Sequence, residues 1–239
     1  FLAQGRNFAL AAPTGRAAKV IASKTKQSAR TIHSLIYDYS DMTEEGEEGS
    51  PTFKMIAKIA QNGSPINSVY IVDEASLVSD VYSESEFFRS GSGYILHDLM
   101  TYIGVGQPGS ARKIIFVGDP AQLPPVGMSS SPALNSEYLR QTFGLEASAY
   151  ELTEIVRQNA ESTVLQNVEP LRESLSSGHF GGLSFTFDDD VVRLHKEIVP
   201  QLYMKIREER GAQAPIIVTH PNTEASEFNR AIRSKLFPG

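Results

Sequence analysis

Two adjacent carboxylates, Asp73 and Glu74, directly follow the short apolar run Val69–Val72. In sites that transfer phosphoryl groups, the first acid of such a pair holds Mg²⁺ and the second orients or deprotonates the attacking water. The same pair can instead be a strand end whose acids are hydrated or cap the next helix. The dipeptide alone does not decide between these two interpretations.

A second chemical candidate lies in the proline-rich stretch Gly118-Asp119-Pro120-Ala121-Gln122-Leu123-Pro124-Pro125-Val126. A strand that ends in Gly-Asp and is followed by three prolines makes a stiff loop, which is a good support for a functional side chain. The amide of Gln122 could hydrogen-bond a γ-phosphate or the attacking water, as glutamines do in several nucleotide hydrolases. A surface amide in a proline-rich turn is the alternative.

The turn Ala12-Pro13-Thr14-Gly15-Arg16-Ala17-Ala18-Lys19 carries groups suited to binding phosphate. Thr14 is predicted to cap a helix on which Arg16 and Lys19 share one face. Together with the backbone N–H groups of the turn, these side chains make a credible phosphate contact. A simple capped helix explains Thr14 and Gly15 equally well.

Thr31 and His33 lie in a third polar stretch, Ala29-Arg30-Thr31-Ile32-His33-Ser34-Leu35, which is predicted to be a loop or the start of a helix. Both residue types can contact a nucleic-acid strand. A lone histidine, however, is more often packed or solvated than functional.

Arg157 closes the stretch Leu152-Thr153-Glu154-Ile155-Val156-Arg157-Gln158. A guanidinium can complement the charge that develops on a γ-phosphoryl group, and arginines that act in this way raise turnover by ~10³ to 10⁵. The alternative is a helix-surface arginine paired to Glu154 or Glu161.

Short apolar runs precede most of these polar groups and are predicted to be strands buried on both faces. They cover residues 8–12, 69–72, 114–117 and 216–218. Helical patterns, such as 16–24 and 224–235, separate them, and this alternation indicates an α/β fold with a mostly parallel sheet. Ligands of such sheets bind at the carboxyl ends of the strands. We therefore expect one edge to gather Thr14, Asp73, Glu74, Asp119 and Thr219.

Three segments are predicted to lie outside this regular alternation. Residues 38–50 hold six acids and two glycines, which favours a solvated loop. In 83–93, Phe87-Phe88 is interpreted as a helix end tucked against the sheet, with flexible chain on either side. In the bridging segment 158–211 we expect a helix at 163–177 that Pro170 breaks or kinks, a strand pair at 183–187 and 191–194, and a helix at 196–209.

Composition excludes several classes of protein. The 239 residues carry a net charge of −6 and include 41% hydrophobic residues, enough for a normal core. The absence of cysteine excludes a disulfide framework, a thiolate zinc site and a cysteine nucleophile. No run reaches the ~18 apolar residues that a bilayer span needs, so we expect a cytoplasmic protein without a membrane partner. Because the chain opens with Phe1 instead of Met, we expect a fragment.

The order and spacing of the motifs resemble those of the superfamily 1 DNA helicases of the RecD and Dda group, which includes the alpha subunit of exodeoxyribonuclease V. Residues 12–19 are similar to motif Ia, 31–35 to the following single-strand contact motif, 72–76 to motif II, 118–124 to motif III and 152–158 to motif IV. Residues 216–230 are similar to the first strand and helix of a second RecA-like domain.

The resemblance implies a RecA-like P-loop NTPase fold with a parallel sheet flanked by helices. It implies domain 1A at 1–157 without its phosphate-loop unit, a bridging segment at 158–211 and the start of domain 2A at 212–239. The implied activity is ATP- and Mg²⁺-dependent 5′-to-3′ translocation on single-stranded DNA, in recombination or repair, with nuclease or recombination subunits as possible partners.

The resemblance also implies roles for individual residues. In the ATPase site these are Asp73 for Mg²⁺, Glu74 as catalytic base, Gln122 as γ-phosphate sensor and Arg157 as arginine finger. Along the DNA strand they are Pro13, Thr14, Arg16, Thr31 and His33.

Two departures from the family leave other hypotheses open. The chain contains no G-x-x-x-x-G-K-[ST], and motifs V and VI are missing. In the family the phosphate loop precedes the unit that begins near Phe8, so we expect it upstream of Phe1 and expect this chain alone to hydrolyse ATP poorly. The alternatives are a pseudo-helicase that binds nucleic acid or acts as a scaffold, and an unrelated P-loop ATPase that remodels protein or RNA.

Overall fold

The computed structural model describes residues 5–45, 54–152, 162–182, 184–211 and 215–237. The chain divides into two compact units, Phe1–Thr153 and Glu154–Gly239. The first unit contains every strand found in the described residues, and it therefore holds the sheet edge on which most candidate residues were predicted to lie.

A four-stranded, all-parallel sheet forms the centre of the first unit. From one edge to the other its strands are β2 (Ala29–Thr31), β1 (Phe8–Ala12), β5 (Val69–Val72) and β7 (Lys113–Phe116). The apolar runs predicted for β1 and β5 match the observed bounds, and the run predicted at 114–117 is displaced by one residue. The α/β fold with a parallel sheet and flanking helices is confirmed.

The register of the sheet aligns the carboxyl ends of all four strands. Ala12 of β1 lies opposite Thr31, and Ala11 lies opposite Val72 of β5, which in turn lies opposite Phe116 of β7. The strands thus end within about one residue of one another, and whatever follows each strand emerges at the same edge.

Strand β7 is less buried than its apolar sequence predicts. Ile115 is 39% exposed and Val117, just after the strand, is 43% exposed. Within the described part of the chain β7 pairs only with β5. The prediction that this run is buried on both faces is therefore wrong, because Ile114 and Phe116 on one face are half-buried while Ile115 on the other is exposed.

Two helices start at the carboxyl edge of this sheet, each capped by a threonine. Helix α1 (Gly15–Thr25) begins after Thr14, whose Oγ1 accepts a hydrogen bond from the N–H of Ala17 at 3.2 Å. Helix α2 (Ile32–Ile36) begins after Thr31, whose Oγ1 accepts from the N–H of Ser34 at 3.1 Å. The helix predicted after Thr14 is confirmed, and of the loop or helix start predicted at Thr31 the structure has the helix start.

A second, smaller sheet includes residues 38–45, so the solvated loop predicted for 38–50 is wrong over these residues; residues 46–50 lie outside the described part of the chain. Strand β3 (Tyr37–Glu45) pairs antiparallel with β4 (Lys54–Ile59), and β4 pairs parallel with β6 (Phe88–Ser90). Asp38 of β3 is half-buried and its other acids are exposed, and two of them pair with cations of the same sheet: Lys58 lies 3.0 Å from Asp41 and Arg89 lies 3.2 Å from Glu45. The strand is therefore acidic without burying charge.

The predicted helix end at Phe87-Phe88 is also wrong. Phe88 begins strand β6 and is partly buried against the main core, whereas Phe87 is 58% exposed. Aromatic residues suit a pleated, half-buried surface, and pairing with β4 provides one.

The remaining elements of the first unit close its core. Helix α3 (Ile95–Ile103) is amphipathic and buries Leu96, Leu99 and Ile103. A later helix, α4 (Ser136–Phe143), is capped by Asn135 and follows a 3-10 turn, Pro132–Leu134. The core cluster that results joins α2, α3 and β5, and includes Ile32, Ile36, Tyr70, Val72, Leu96 and Leu99.

All the regular secondary structure in the described residues of the second unit is helical. It comprises α5 (Thr163–Ser177), a 3-10 turn (Lys196–Ile198), α6 (Val199–Arg210) and α7 (Asn222–Leu236). The predicted helices are confirmed, but α5 runs through Pro170 without a break. None of the described helices of either unit combines the length and apolar character that a bilayer span requires.

The strands predicted for the second unit do not form in its described residues. In place of the pair at 183–187 and 191–194, the backbone N–H and C=O of Thr186 bond to the side chain of Asn167 on α5, at 2.8 and 2.9 Å. Residues 216–218 form no strand, and Ile216 and Val218 are exposed. The first strand expected for domain 2A is therefore wrong, although the helix after it is present as α7.

One buried polar contact ties the smaller sheet of the first unit to helix α3. The hydroxyl of Tyr37, at the start of β3, donates to Oδ2 of Asp98 on α3 at 2.6 Å, and the same oxygen accepts from the N–H of Ser92 at 3.0 Å. Burial, together with this hydrogen bond, raises the pKa of Tyr37, so its hydroxyl keeps its proton. A Cβ at Gly91 would lie 2.2 Å from Oδ2, which is why a glycine with φ of +52° occupies the turn.

Removal of the Tyr37 hydroxyl tests the importance of this contact. We expect Tyr37→Phe to lower the free energy of unfolding by about 1.5–3 kcal/mol, because a buried carboxylate loses a hydrogen bond. Urea unfolding followed by circular dichroism measures the change. Tyr150→Phe is the matched control, since Tyr150 is 90% exposed and should show no change. Equal stability of Tyr37→Phe and wild type would contradict the assigned role.

Candidate functional site

The carboxyl edge of the four-stranded sheet gathers the candidate residues as predicted. Thr14 follows β1, Thr31 ends β2, Asp73 and Glu74 follow β5, and Asp119 lies just beyond β7. Hydrogen bonds extend the ladder past the strand ends: the N–H of Asp73 donates to the carbonyl of Ala11 at 2.9 Å. Thr219 was predicted to follow a strand of this sheet, but it belongs to the second unit and no strand precedes it there.

Glu74 is held in an unusual backbone conformation. Its φ of 52° and ψ of 36° place it in the left-handed region, which costs a residue with a Cβ about 1–2 kcal/mol. Although Glu74 precedes the 3-10 turn Ala75–Leu77, its side chain makes no capping hydrogen bond. Capping of the next helix is therefore wrong as an explanation of Glu74. Strain of this kind is typical of functional sites.

The two loops after β5 and β7 are locked together at Gly118. The N–H of Ala75 donates to the carbonyl of Val117 at 2.9 Å. A Cβ at Gly118 would lie 3.0 Å from the backbone nitrogen of Ser76 and 3.2 Å from that of Ala75. A side chain here would crowd that backbone, so glycine suits this close approach of the Gly-Asp-Pro loop to the segment that follows Asp73 and Glu74.

The Gly-Asp-Pro loop is organised by Asp119. Its Oδ1 accepts from the N–H of Ala121 and its backbone carbonyl accepts from the N–H of Gln122, both at 3.0 Å. These bonds make a tight turn that presents the side chain of Gln122 to solvent. The turn thus fixes the backbone of Gln122 within the loop whose Gly118 packs against the segment that follows Glu74.

The candidate nucleic-acid residues surround the start of α1. Pro13 and Thr31 are half-buried, whereas Arg16 and His33 are exposed. The hydroxyls of Thr14 and Thr31 serve as helix caps, so the capped-helix interpretation holds for these hydroxyls. What α1 offers a phosphate is its own N-terminus and the exposed guanidinium of Arg16.

His33 contributes a ring rather than a charge. Although part of the side chain is exposed, partial burial lowers the pKa of His33, and the imidazole is neutral at pH 7. Its centroid lies 5.7 Å from that of Tyr37. The histidine therefore suits stacking and hydrogen bonding better than phosphate neutralisation.

A groove of about 600 Å³ adjoins these residues. Pro13, Thr14 and His33 line one part of it, and aromatic side chains of the smaller sheet, Tyr39 and Phe88, line another. The sequence analysis missed these two aromatic residues. No local signal marks them, because Tyr39 was assigned to a loop and Phe88 to a helix end.

The described residues contain no cluster of three or more His, Asp or Glu side chains that could hold a metal ion. Mg²⁺ in nucleotide sites is typically held by one or two carboxylates together with the substrate phosphates. The carboxylate of Asp73, partly accessible at the strand end, fits that donor set. Arg157, the predicted arginine finger, lies outside the described residues.

Comparison with known families identifies the chain. A family model described as AAA domain matches residues 2–128, which is more than half of the 239 residues. The chain belongs to the AAA domain family. This family has a P-loop, helicase-like NTPase domain, so the function of the chain is that of a nucleotide-hydrolysing enzyme of this type. The matched part of the AAA domain includes Asp73, Glu74 and Gln122. No curated protein matches the chain.

The strain at Glu74 makes a prediction about stability. We expect Glu74→Gly to raise the free energy of unfolding by about 1 kcal/mol, since glycine adopts positive φ without the steric cost. Lys26→Gly is the matched control, because Lys26 has a similar φ of 57° and lies at the end of α1, away from the carboxylates. Urea unfolding should show both variants more stable than wild type. A less stable Glu74→Gly would mean that contacts of the carboxylate outweigh the strain.

Proposed function

We propose that this AAA domain chain is part of an ATP-dependent DNA helicase of the 5′-to-3′ type, which couples ATP hydrolysis to translocation on single-stranded DNA. The observation that carries the proposal is the adjacency of β1 and β5. Their parallel register sets Ala11 opposite Val72, so the segment with Thr14 and Arg16 leaves the sheet beside the segment with Asp73 and Glu74. A hydrolytic site and a phosphate-binding helix start share one edge, which is the arrangement a motor needs.

In this proposal the residues after β5 and β7 form the hydrolytic half. ATP would supply the phosphoryl group that is transferred, and Mg²⁺ would neutralise the negative charge of its oxygens. Asp73 would hold the ion, and Glu74 would accept the proton of the attacking water. Gln122 would hydrogen-bond the γ-phosphate or that water, and Arg157 is proposed as the finger.

The N-terminus of α1 and the start of α2 form the nucleic-acid half. The N–H groups of α1 and the guanidinium of Arg16 would bind backbone phosphates, while Pro13, Thr31 and His33 would contact the strand as it passes. These contacts carry little base-specific information, so sequence preference should be slight.

The packing at Gly118 supports coupling between the two halves. A movement of the Gly-Asp-Pro loop on loss of the γ-phosphate would act directly on the backbone of Ala75 and Ser76, because the loop packs against it without intervening side chains. Asp73 in turn is bonded to Ala11 at the end of β1. The path from Gln122 to the strand-binding segment therefore runs through backbone hydrogen bonds. We further propose a role in recombination or repair, in the cytoplasm, with nuclease or recombination subunits as partners.

Glu74→Gln tests the hydrolytic half. In the protein that the complete gene encodes, we expect turnover of ATP to fall by about 10²- to 10⁴-fold, since the amide cannot accept the proton. Binding of a fluorescent ATP analogue should persist. Glu137→Gln, which removes an exposed acid of α4 that pairs with Arg140, is the control and should hydrolyse normally. Undiminished DNA-stimulated hydrolysis by Glu74→Gln would refute the assignment.

Arg16→Ala tests the nucleic-acid half. We expect the variant to bind oligodeoxythymidylate more weakly, and the slope of log K against log salt to fall by about one unit, as for loss of one phosphate contact. Fluorescence anisotropy over a salt series measures both quantities. Lys24→Ala removes a basic side chain at the other end of α1 and should leave the slope unchanged. An unaltered slope in Arg16→Ala would return Arg16 to a purely structural role.

A further inference from the structure

Four aromatic rings form a continuous series that begins at the proposed strand-binding segment and ends in the smaller sheet. The ring centroids of His33 and Tyr37 lie 5.7 Å apart, and those of Tyr37 and Tyr39 lie 6.4 Å apart. Tyr39 and Phe88 are nearly parallel, with centroids 6.1 Å apart and an interplanar angle of 19°. All four line the same groove of about 600 Å³.

Tyr39 is the most accessible tyrosine of this series. It remains 44% exposed, whereas Tyr37 is buried and committed to Asp98. Core packing therefore explains Tyr37 but not Tyr39, which presents a large aromatic face to the groove instead of to the interior.

The charge around the groove favours a neutral ring over a phosphate inside it. Glu84, an acidic lining residue, lies 2.7 Å from Lys54, and the hydrogen bond from Lys54 lowers the pKa of Glu84. This acid is therefore ionised and already paired. The other lining groups near the rings are apolar side chains and serine hydroxyls, among them Leu77, Val81, Ser83 and Ser90.

The cationic and helix-terminal groups lie at the rim of the groove. Pro13 and Thr14 are lining residues and also lead into α1, whose first turn carries the exposed guanidinium of Arg16. A strand whose phosphates follow the start of α1 would thus have its bases directed toward the rings. A cationic rim beside an aromatic groove matches a nucleotide, which has a phosphate and a base, better than it matches an apolar peptide.

We infer that this groove receives a nucleobase of the bound single strand, with Tyr39 as the stacking platform and the serine hydroxyls as hydrogen-bonding partners for the base edge. The inference rests on the proposed function and adds to it a base-binding subsite on the smaller sheet. Stacking on an aromatic side chain tolerates any base, so the subsite increases affinity without imposing a sequence.

The test compares two strands with the full 239-residue chain: oligodeoxythymidylate and a strand of equal length and charge whose nucleotides are abasic. By fluorescence anisotropy at fixed salt, we expect wild type to bind the base-bearing strand about tenfold more tightly, the effect of roughly one stacked base. Tyr39→Ala should lose most of this preference, whereas Tyr39→Phe, which keeps the ring, should retain it.

Two further variants separate stacking from folding. Tyr39→Leu keeps a large apolar side chain against Tyr37 and Phe88 and should lose the preference as Tyr39→Ala does. Tyr150→Ala removes an exposed tyrosine that is not part of the groove and should behave as wild type. Because no Tyr39 variant removes a phosphate contact, the salt slope should stay unchanged in all of them.

The outcomes distinguish the inference from the function on which it rests. Equal binding of both strands by wild type, or a full preference retained by Tyr39→Ala and Tyr39→Leu, overturns the base subsite and leaves strand binding intact. The base subsite is also overturned if an apolar peptide binds tightly and competes with neither strand. Failure of wild type to bind either strand overturns both proposals.

Discussion

The parallel register of β2, β1, β5 and β7 is the constraint on which the rest of the candidate site depends. All four strands run in one direction and end within about one residue of one another. The segments that follow them therefore leave the sheet side by side at the same edge. Since side chains alternate between faces, a slip of one residue between β1 and β5 would exchange the two faces of β5, take Tyr70 and Val72 out of the core cluster and move Asp73 away from Ala11. Backbone pairing, more than any side-chain contact, sets the geometry of the site.

Two residues of the site lower the stability of the fold, and the buried core compensates for that loss of folding free energy. Glu74 bears a left-handed backbone, and Gly118 gives up a side chain so that two loops can touch. Neither feature stabilises the fold. The stability comes from below the sheet edge, where Tyr70, Leu96 and Leu99 are buried almost completely. Such a division lets the loops respond to a ligand while the strands that carry them stay fixed.

Local patterns in the sequence predicted what local interactions determine. The runs 8–12 and 69–72, the helix after Thr14 and the cap itself depend on neighbours within a few residues. The pairing of β3 with β4, and of β4 with β6, depends on residues far apart, and acidic composition reports only that β3 is exposed. The aromatic groove depends on that pairing, and it could not be predicted from the sequence because the paired residues are far apart along the chain. In the second unit, the apolar run 216–218 met no partner strand among the described residues, so hydrophobicity alone misled.

The outer edge of β7 has a consequence for how the chain behaves in solution. Within the described residues its second row of backbone N–H and C=O groups is unpaired, and Ile115 and Val117 are accessible beside it. Amide protons on that row should exchange with solvent far faster than those of β5, which is paired on both sides. An open apolar edge is also a template for strand addition. A strand of the same polypeptide or of a neighbouring molecule could pair with this edge and extend the sheet. The faster of these two pairings determines whether the chain associates with itself.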